Sequence, residues 1–130
     1  MKKIKRLLPF VISIMLLSAC TTSVGSADSY RQISMDEAVE MMKKESGYTI
    51  LDVRRPDEYA DGHIPGAINL PNESIGTSEI PELPDKEQLI LVYCRSGRRS
   101  KEASEKLVKL GYTNIVEFGG ILDWKGEIER

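Results

Sequence analysis

Histidine occurs once in the 130 residues of this chain, as His63, and cysteine twice, as Cys20 and Cys94. So small a supply of nitrogen and sulfur ligands leaves no cluster at metal-binding spacing. Two cysteines cannot build a disulfide framework either. No apolar run reaches the ~20 residues that a membrane-spanning helix needs. The longest, from Leu7 to Leu17, has eleven residues and is interrupted by Pro9 and Ser13. Positive charge is also scarce beyond the N-terminus. Setting aside Lys2, Lys3, Lys5 and Arg6 leaves 14 basic side chains against 20 acidic ones, a net charge of −6. No polybasic segment and no basic patch interleaved with aromatic residues is left, which argues against a nucleic-acid partner. A chain of this length has room for one hydrophobic core and not for a second domain.

A basic start followed by a short apolar run has the form of an export signal. Leu17-Ser18-Ala19-Cys20, which closes the run, resembles a bacterial lipobox, the site where lipoprotein signals are cut and the cysteine is acylated. The resemblance implies that residues 1–19 are a signal peptide and that the mature chain begins at a lipidated Cys20. The protein would then be exported and anchored to a bacterial membrane, facing the periplasm or the cell exterior. Thr21 rather than Asp after the cysteine further implies outer-membrane sorting in a cell that has such a membrane. Cleavage near Ala19 without lipid, giving a plain secreted protein, is the alternative. Residues 20–29, rich in Ser, Thr and Gly, read as the lipidated cysteine and a flexible tether, and the folded domain is expected over residues 30–130. With Cys20 lipidated, Cys94 is left as a free thiol and no intramolecular disulfide can form.

Cys94 lies in Tyr93-Cys94-Arg95-Ser96-Gly97-Arg98-Arg99-Ser100. The apolar run Gln88 to Val92 precedes it and a helix-like segment, Arg98 to Leu110, follows. The cysteine is therefore expected where a buried strand hands over to a helix. A thiol there meets the positive end of the helix dipole and the unpaired N–H groups of the first turn, surroundings that favour the nucleophilic thiolate. Gly97 allows the backbone to curl so that N–H groups point inward, while Arg95, Arg98 and Arg99 add cations. A cysteine that ends a strand is more often a small buried hydrophobe. Three mutually repelling cations around an inert thiol have no rationale, however, unless an anion arrives to pair with them.

The remaining pattern alternates strand and helix. Arg31-Gln32-Ile33 reads as a short strand, and Ser34-x-x-Glu37 as a capping box that opens a helix through about Glu45, with Gly47 as its stop. Tyr48 to Val53 is an apolar strand suited to the interior of a parallel sheet. Pro56 with Asp57 and Glu58 begins a short helix that Gly62 can end. Ala67 to Leu70 is a strand, and Pro71 to Lys86 a loop with room for one helical turn. Ile115 to Glu117 is the final strand and Gly119 to Trp124 the start of a last helix. On the helix after Cys94, Glu102 with Lys106 and Glu105 with Lys109 have the spacing of exposed ion pairs. Alternation of this kind predicts an α/β fold, an open sheet with helices on both faces. Ligands in such sheets bind at the carboxyl ends of the strands, where Cys94 is expected.

Two stretches carry a family resemblance. Cys94, Gly97, Arg99 and Ser100 match Cys-x-x-Gly-x-Arg followed by Ser or Thr, the active-site loop of the rhodanese family. Leu51-Asp52-Val53-Arg54 through Pro71, including Gly62-His63-Ile64-Pro65-Gly66-Ala67, is similar to the N-terminal motif of the same domains, and Phe118-Gly119-Gly120 through Trp124 to their C-terminal end. The resemblance covers about Arg31 to Glu127. It implies a single rhodanese-like domain with a mostly parallel five-stranded sheet. It also implies a sulfurtransferase in which Cys94 takes a sulfane sulfur from a small anion such as thiosulfate and passes it, as a persulfide, to a thiol or cyanide. The loop Arg95, Ser96, Gly97, Arg98 and Arg99 would bind the substrate, with Arg99 turned away to buttress the loop. No cofactor and no metal are implied. Asp52, which should end a strand of the same sheet, and Ser100 are candidates for supporting roles, Asp52 by orienting an arginine of the loop. His63 reads as a structural turn residue, because a cysteine at a helix N-terminus needs no base to ionise.

Two other functions share these features. Cysteine phosphatases and arsenate reductases use a similar loop but require Cys-x5-Arg, and here Ser100 stands where that arginine would be. The shorter loop suits a single sulfur atom better than a tetrahedral oxyanion. A lipid-anchored module that binds a persulfide, senses a sulfur species or docks a partner with little turnover would look the same in sequence.

Overall fold

A computed structural model describes residues 29–130. The expected signal peptide, Cys20 and most of the expected tether lie outside the described residues. Five strands form one sheet: β1 (Arg31–Gln32), β2 (Thr49–Asp52), β3 (Ile68–Asn69), β4 (Ile90–Cys94) and β5 (Ile115–Gly120). Their spatial order is β1-β5-β4-β2-β3, and every pairing is parallel. Three α-helices lie among the described residues, α1 (Met35–Lys44), α2 (Pro56–Asp61) and α3 (Arg98–Lys109). The expected α/β architecture with helices on both faces is therefore present, and the sheet is parallel throughout.

β4 holds the centre because all five of its residues can be buried. A strand covered on both faces has no reason to alternate apolar with polar residues. Its side chains divide between two cores. Val92 and Cys94 share one face with Leu51, Ile115 and, from α3, Ala103 and Leu107. Leu91 and Tyr93 share the other with Ile50, Val116, Phe118 and, from α1, Ala38, Met41 and Met42. Ser34 caps α1 as a full capping box with Glu37. The helix ends at Lys44, three residues before the positive φ of Gly47, because Glu45 is already extended.

Two expectations fail at the surface and at the C-terminal end. Glu102 makes its direct ion pair with Arg98 rather than with Lys106. Asn72, in the short 3-10 turn Asn72–Ser74, donates its amide to Glu102, and Lys106 donates to the Asn72 carbonyl and side-chain oxygen. These contacts tie the loop before β4 to α3. The segment after β5 makes only a 3-10 turn, Ile121–Asp123, before Trp124 returns to extended backbone and its indole N–H donates to the Glu127 carbonyl.

Adjacent strand residues point to opposite faces, and this decides the fate of Asp52. Its register partner on β4 is Tyr93, one residue before the cysteine. Asp52 consequently lies on the side away from Cys94, fully buried. Its carboxylate accepts two side-chain donors of Arg54, at 2.7 and 3.0 Å, and the Tyr93 hydroxyl at 2.7 Å. Burial first and the Asp52 charge second push the Tyr93 phenol well above its ordinary range, so it remains a donor. Tyr93 in turn accepts the Ile64 N–H, and Arg54 donates to the Gly62 carbonyl, so the network pins the turn after α2. Removing one partner of a buried ion pair leaves an uncompensated charge. The Asp52→Ala variant is expected to lose about 3–5 kcal/mol of stability, read as a lower denaturant midpoint. A shift no larger than that of an exposed ion pair would contradict this burial.

Candidate active site

Cys94 ends β4, and α3 begins four residues later at Arg98. Between them the chain reverses through Gly97, whose φ of +121° is a conformation that side chains other than hydrogen rarely adopt. That turn brings the Gly97 N–H to 3.0 Å from the Cys94 sulfur, to which it donates. The N–H groups at the start of α3 follow directly, where a helix has no internal acceptors for them.

β5 supports the loop from below. A bulge sits between its pairings with β4, since Val92 matches Glu117 but Cys94 matches Gly120, and Gly119 takes a φ of +94°. The extra residue swings Gly120 against the loop backbone. A Cβ at Gly120 would lie 2.0 Å from the Arg95 carbonyl oxygen and 2.5 Å from the Ser96 nitrogen. No side chain fits, and none of the colliding atoms can swing aside because all are backbone. The Leu122 N–H then donates to the same Arg95 carbonyl at 3.3 Å.

Above the sulfur is an open cavity of about 600 Å³. Cys94, itself 1% exposed, forms part of its floor. Arg95, Ser96, Arg98 and Arg99 line it from the loop and α3, Arg55 and Glu58 from α2 and its cap, and Glu73 from the loop before β4. The four arginines are not equivalent. Arg99 makes a two-pronged pair with Glu58, at 2.6 and 3.1 Å, with both side chains largely buried. Arg55 reaches Asp57 and Glu58, and Arg98 pairs with Glu102 on the exposed side of α3. Only the Arg95 guanidinium, among the described arginines of the cavity, has no carboxylate partner. It is the cation most free to meet an anion.

Each residue expected at the site can now be located. Cys94, Arg95, Ser96, Gly97, Arg98 and Arg99 come together around one cavity. Ser100 is fully buried beneath it, 3.4 Å from the sulfur. Asp52 does not orient a loop arginine, because its carboxylate is turned to the opposite face and taken by Arg54 and Tyr93. Glu58 is the acid that holds Arg99. His63 stacks on Tyr59 and bridges to Glu129, away from the cysteine. Glu117, treated in the sequence only as a strand residue, lies buried under the loop and accepts the Ser100 hydroxyl at 2.6 Å and the Gly119 N–H at 2.9 Å. Its signal was a lone carboxylate inside the apolar run Ile115-Val116-Glu117-Phe118. Among the described residues no group of three or more His, Cys, Asp and Glu side chains could hold a metal ion.

Comparison with known proteins agrees with this geometry. Residues 34–127 match the family model described as the rhodanese-like domain. The chain belongs to the rhodanese-like family. It is 40% identical over 73 residues to the thiosulfate sulfurtransferase PspE of Escherichia coli K12, covering 56% of this chain and 70% of that protein. It is 38% identical over 97 residues to the thiosulfate sulfurtransferase GlpE of Coxiella burnetii, covering 74% and 88%. Among solved structures, a rhodanese with anions from E. coli superimposes with a TM-score of 0.59 at 35% identity, over 64% of this chain and 98% of that one. A rhodanese-like domain from Anabaena gives a TM-score of 0.69 at 28% identity, over 78% and 80%.

The Glu58–Arg99 pair has a pH consequence. Hydrogen bonds from Arg99, outweighing the opposite effect of burial, hold the Glu58 carboxyl below its ordinary range. A carboxyl lowered by folding contributes stability that is complete above its unfolded value, about 4.3, and is lost as pH falls through the lowered folded value. Wild type and the Glu58→Gln variant are therefore expected to differ most in urea denaturation above that pH and to converge on acidification. Parallel curves across the whole range would remove the ionised pair from the support of the loop.

Proposed function

We propose that this protein is a sulfurtransferase that carries sulfane sulfur on Cys94. The observation that carries the reading is the sulfur at the floor of a cationic cavity, held by the Gly97 N–H, with Arg95 unpaired by any carboxylate. The sulfurtransferase names of its relatives support it.

The Cys94 thiolate attacks the outer sulfur of a donor such as thiosulfate. A Cys94 sulfur–sulfur bond forms, the bond to the sulfonate sulfur breaks, and sulfite leaves with that electron pair. The terminal sulfur of the persulfide carries negative charge, and the loop N–H groups and the helix dipole stabilise it where it forms. An acceptor thiolate or cyanide then attacks the terminal sulfur and Cys94 departs as thiolate. No cofactor enters this sequence. Arg95 and Arg98 attract the anionic donor, while Arg99, committed to Glu58, keeps the loop in shape.

Intact mass spectrometry before and after thiosulfate tests this. The wild-type protein is expected to gain one sulfur atom, to lose it to cyanide, and the Cys94→Ser variant to gain none. A reduced and accessible Cys94 that loads no sulfur from thiosulfate would refute transfer from that donor.

The lipobox-like Leu17-Ser18-Ala19-Cys20 supports lipid anchorage and export to the periplasmic or outer side of a bacterial membrane. Two or more acyl chains hold a protein stably where one holds it marginally. Wild type is expected in the membrane fraction of the producing cells and the Cys20→Ala variant to lose its lipid and that association. Equal partitioning of the two would refute anchorage through Cys20.

A further inference from the structure

One buried acid lies beneath the cysteine and has no part in the persulfide chemistry. Glu117 is 3% exposed and Ser100 is fully buried, and both lie directly beneath Cys94. The three side chains form a head-to-tail chain. The Cys94 thiol donates to Ser100 Oγ at 3.4 Å, and the Ser100 hydroxyl donates to Glu117 Oε1 at 2.6 Å. The second distance is that of a charge-assisted O–H···O bond. Ser100 Oγ also lies 2.9 Å from the Gly97 carbonyl and 3.3 Å from that of Gly119, both of which can only accept.

A chain of this kind can run in either direction. If the thiol proton moves to Ser100 Oγ while the serine proton moves to Glu117, the S–H bond breaks, a carboxyl O–H bond forms, and the serine remains a hydroxyl. The negative charge passes from the carboxylate to the sulfur. Glu117 then donates to Ser100 Oγ and the Ser100 hydroxyl donates to the thiolate, so no partner is lost. The Gly97 N–H, 3.0 Å from the sulfur, is in place for the charged form.

We infer that Glu117 is a positioning residue that takes up the Cys94 proton through Ser100, so that the buried pair of Cys94 and Glu117 holds a single negative charge. The chain has a defined start at the nucleophile and a defined end at an acid that pairs with no cation among the described residues. Other charges act on the sulfur from outside this chain. Arg95 approaches from the loop, Arg98 and Arg99 from α3, Arg55 and Glu58 from α2 and its cap, and Glu73 from the loop before β4. On β1 the residue opposite Glu117 is Gln32, which is uncharged. None of these groups is altered in the variants below, so their influence is common to all samples.

The inference deepens the sulfurtransferase reading and rests on Cys94 being its nucleophile, but its test needs no sulfur transfer. The rate at which iodoacetamide alkylates Cys94 in the purified full-length protein, followed against pH, reads the thiolate directly. Two groups coupled by more than about one pH unit titrate in two steps that belong to the pair. The wild-type profile is expected to rise in two steps. In Glu117→Gln the side-chain amide donates to Ser100 as a protonated glutamate would, and the profile is expected to become one step, shifted toward acid. In Ser100→Ala the bridge and its donor to the thiolate are gone, and the profile is expected to shift toward alkali.

A shift toward acid in Glu117→Gln together with a shift toward alkali in Ser100→Ala supports the relay, and the reverse pair overturns it. Profiles that coincide with wild type, or that shift in the same direction in both variants, overturn it. Should Glu117→Gln fail to fold, a Ser100→Ala profile unchanged from wild type or shifted toward acid suffices to overturn it, and Ser100→Thr, which keeps the hydroxyl, is expected to restore the two steps. A protein that alkylates as expected but loads no sulfur from thiosulfate would fail the sulfurtransferase reading alone.

Discussion

The close approach of two backbones, β5 at Gly120 and the cysteine loop at Arg95, constrains everything else in the site. Where a Cβ would lie 2.0 Å from the Arg95 carbonyl, only a glycine leaves room for the loop to close beneath α3. The bulge that precedes it exists to make that approach, and Gly119 supplies the positive φ that the bulge requires. The sulfur is then fixed from three sides: by the end of β4, by the Gly97 N–H and by Ser100. Sheet, turn and helix converge on the loop and hold its shape.

Charge is distributed so that the loop stays cationic without falling apart. Arg99 is neutralised by Glu58 from the neighbouring helix, which converts a repulsive side chain into a brace. Arg98 is balanced by Glu102 on its own helix, and Glu102 is held in turn by Asn72. Arg95 alone is left to the cavity. A buried carboxylate, Glu117, sits below the same sulfur and opposes the cations above it. The Cys94 sulfur therefore lies between a positive mouth and an acidic floor, one serine hydroxyl away from the latter. The second ionic network, Asp52 with Arg54 and Tyr93, is on the far face and serves the turn after α2 instead.

The order of elements was legible because each carried a local cause. The Ser34 and Glu37 capping box, Pro56 at the head of α2, Gly62 at its end and the unbroken apolar run into Cys94 all act within a few residues of themselves. The loop was legible for the same reason, since Cys94 to Ser100 is one contiguous stretch. The last helix was overread because Gly119 to Trp124 has the form of a helix start while its backbone is committed to the bulge and a 3-10 turn. The Glu102–Lys106 pair on α3 was misassigned because Asn72, thirty residues before Glu102, engages both partners.

Asp52 and Glu117 show where reading along the chain stops. Asp52 ends a strand beside the cysteine strand, and only the register, Asp52 opposite Tyr93, turns it to the other face. Glu117 looked like any strand residue until the bulge and α3 enclosed it under Ser100. The amino-acid sequence by itself determined the strand–helix alternation and the loop that places Cys94 between β4 and α3, because these depend on local backbone preference and on neighbours in the chain. Tertiary structure decided which carboxylate serves which arginine and which acid lies beneath the sulfur. Those contacts depend on strand register and on which face of the sheet a residue occupies, and a shift of one residue reverses the face.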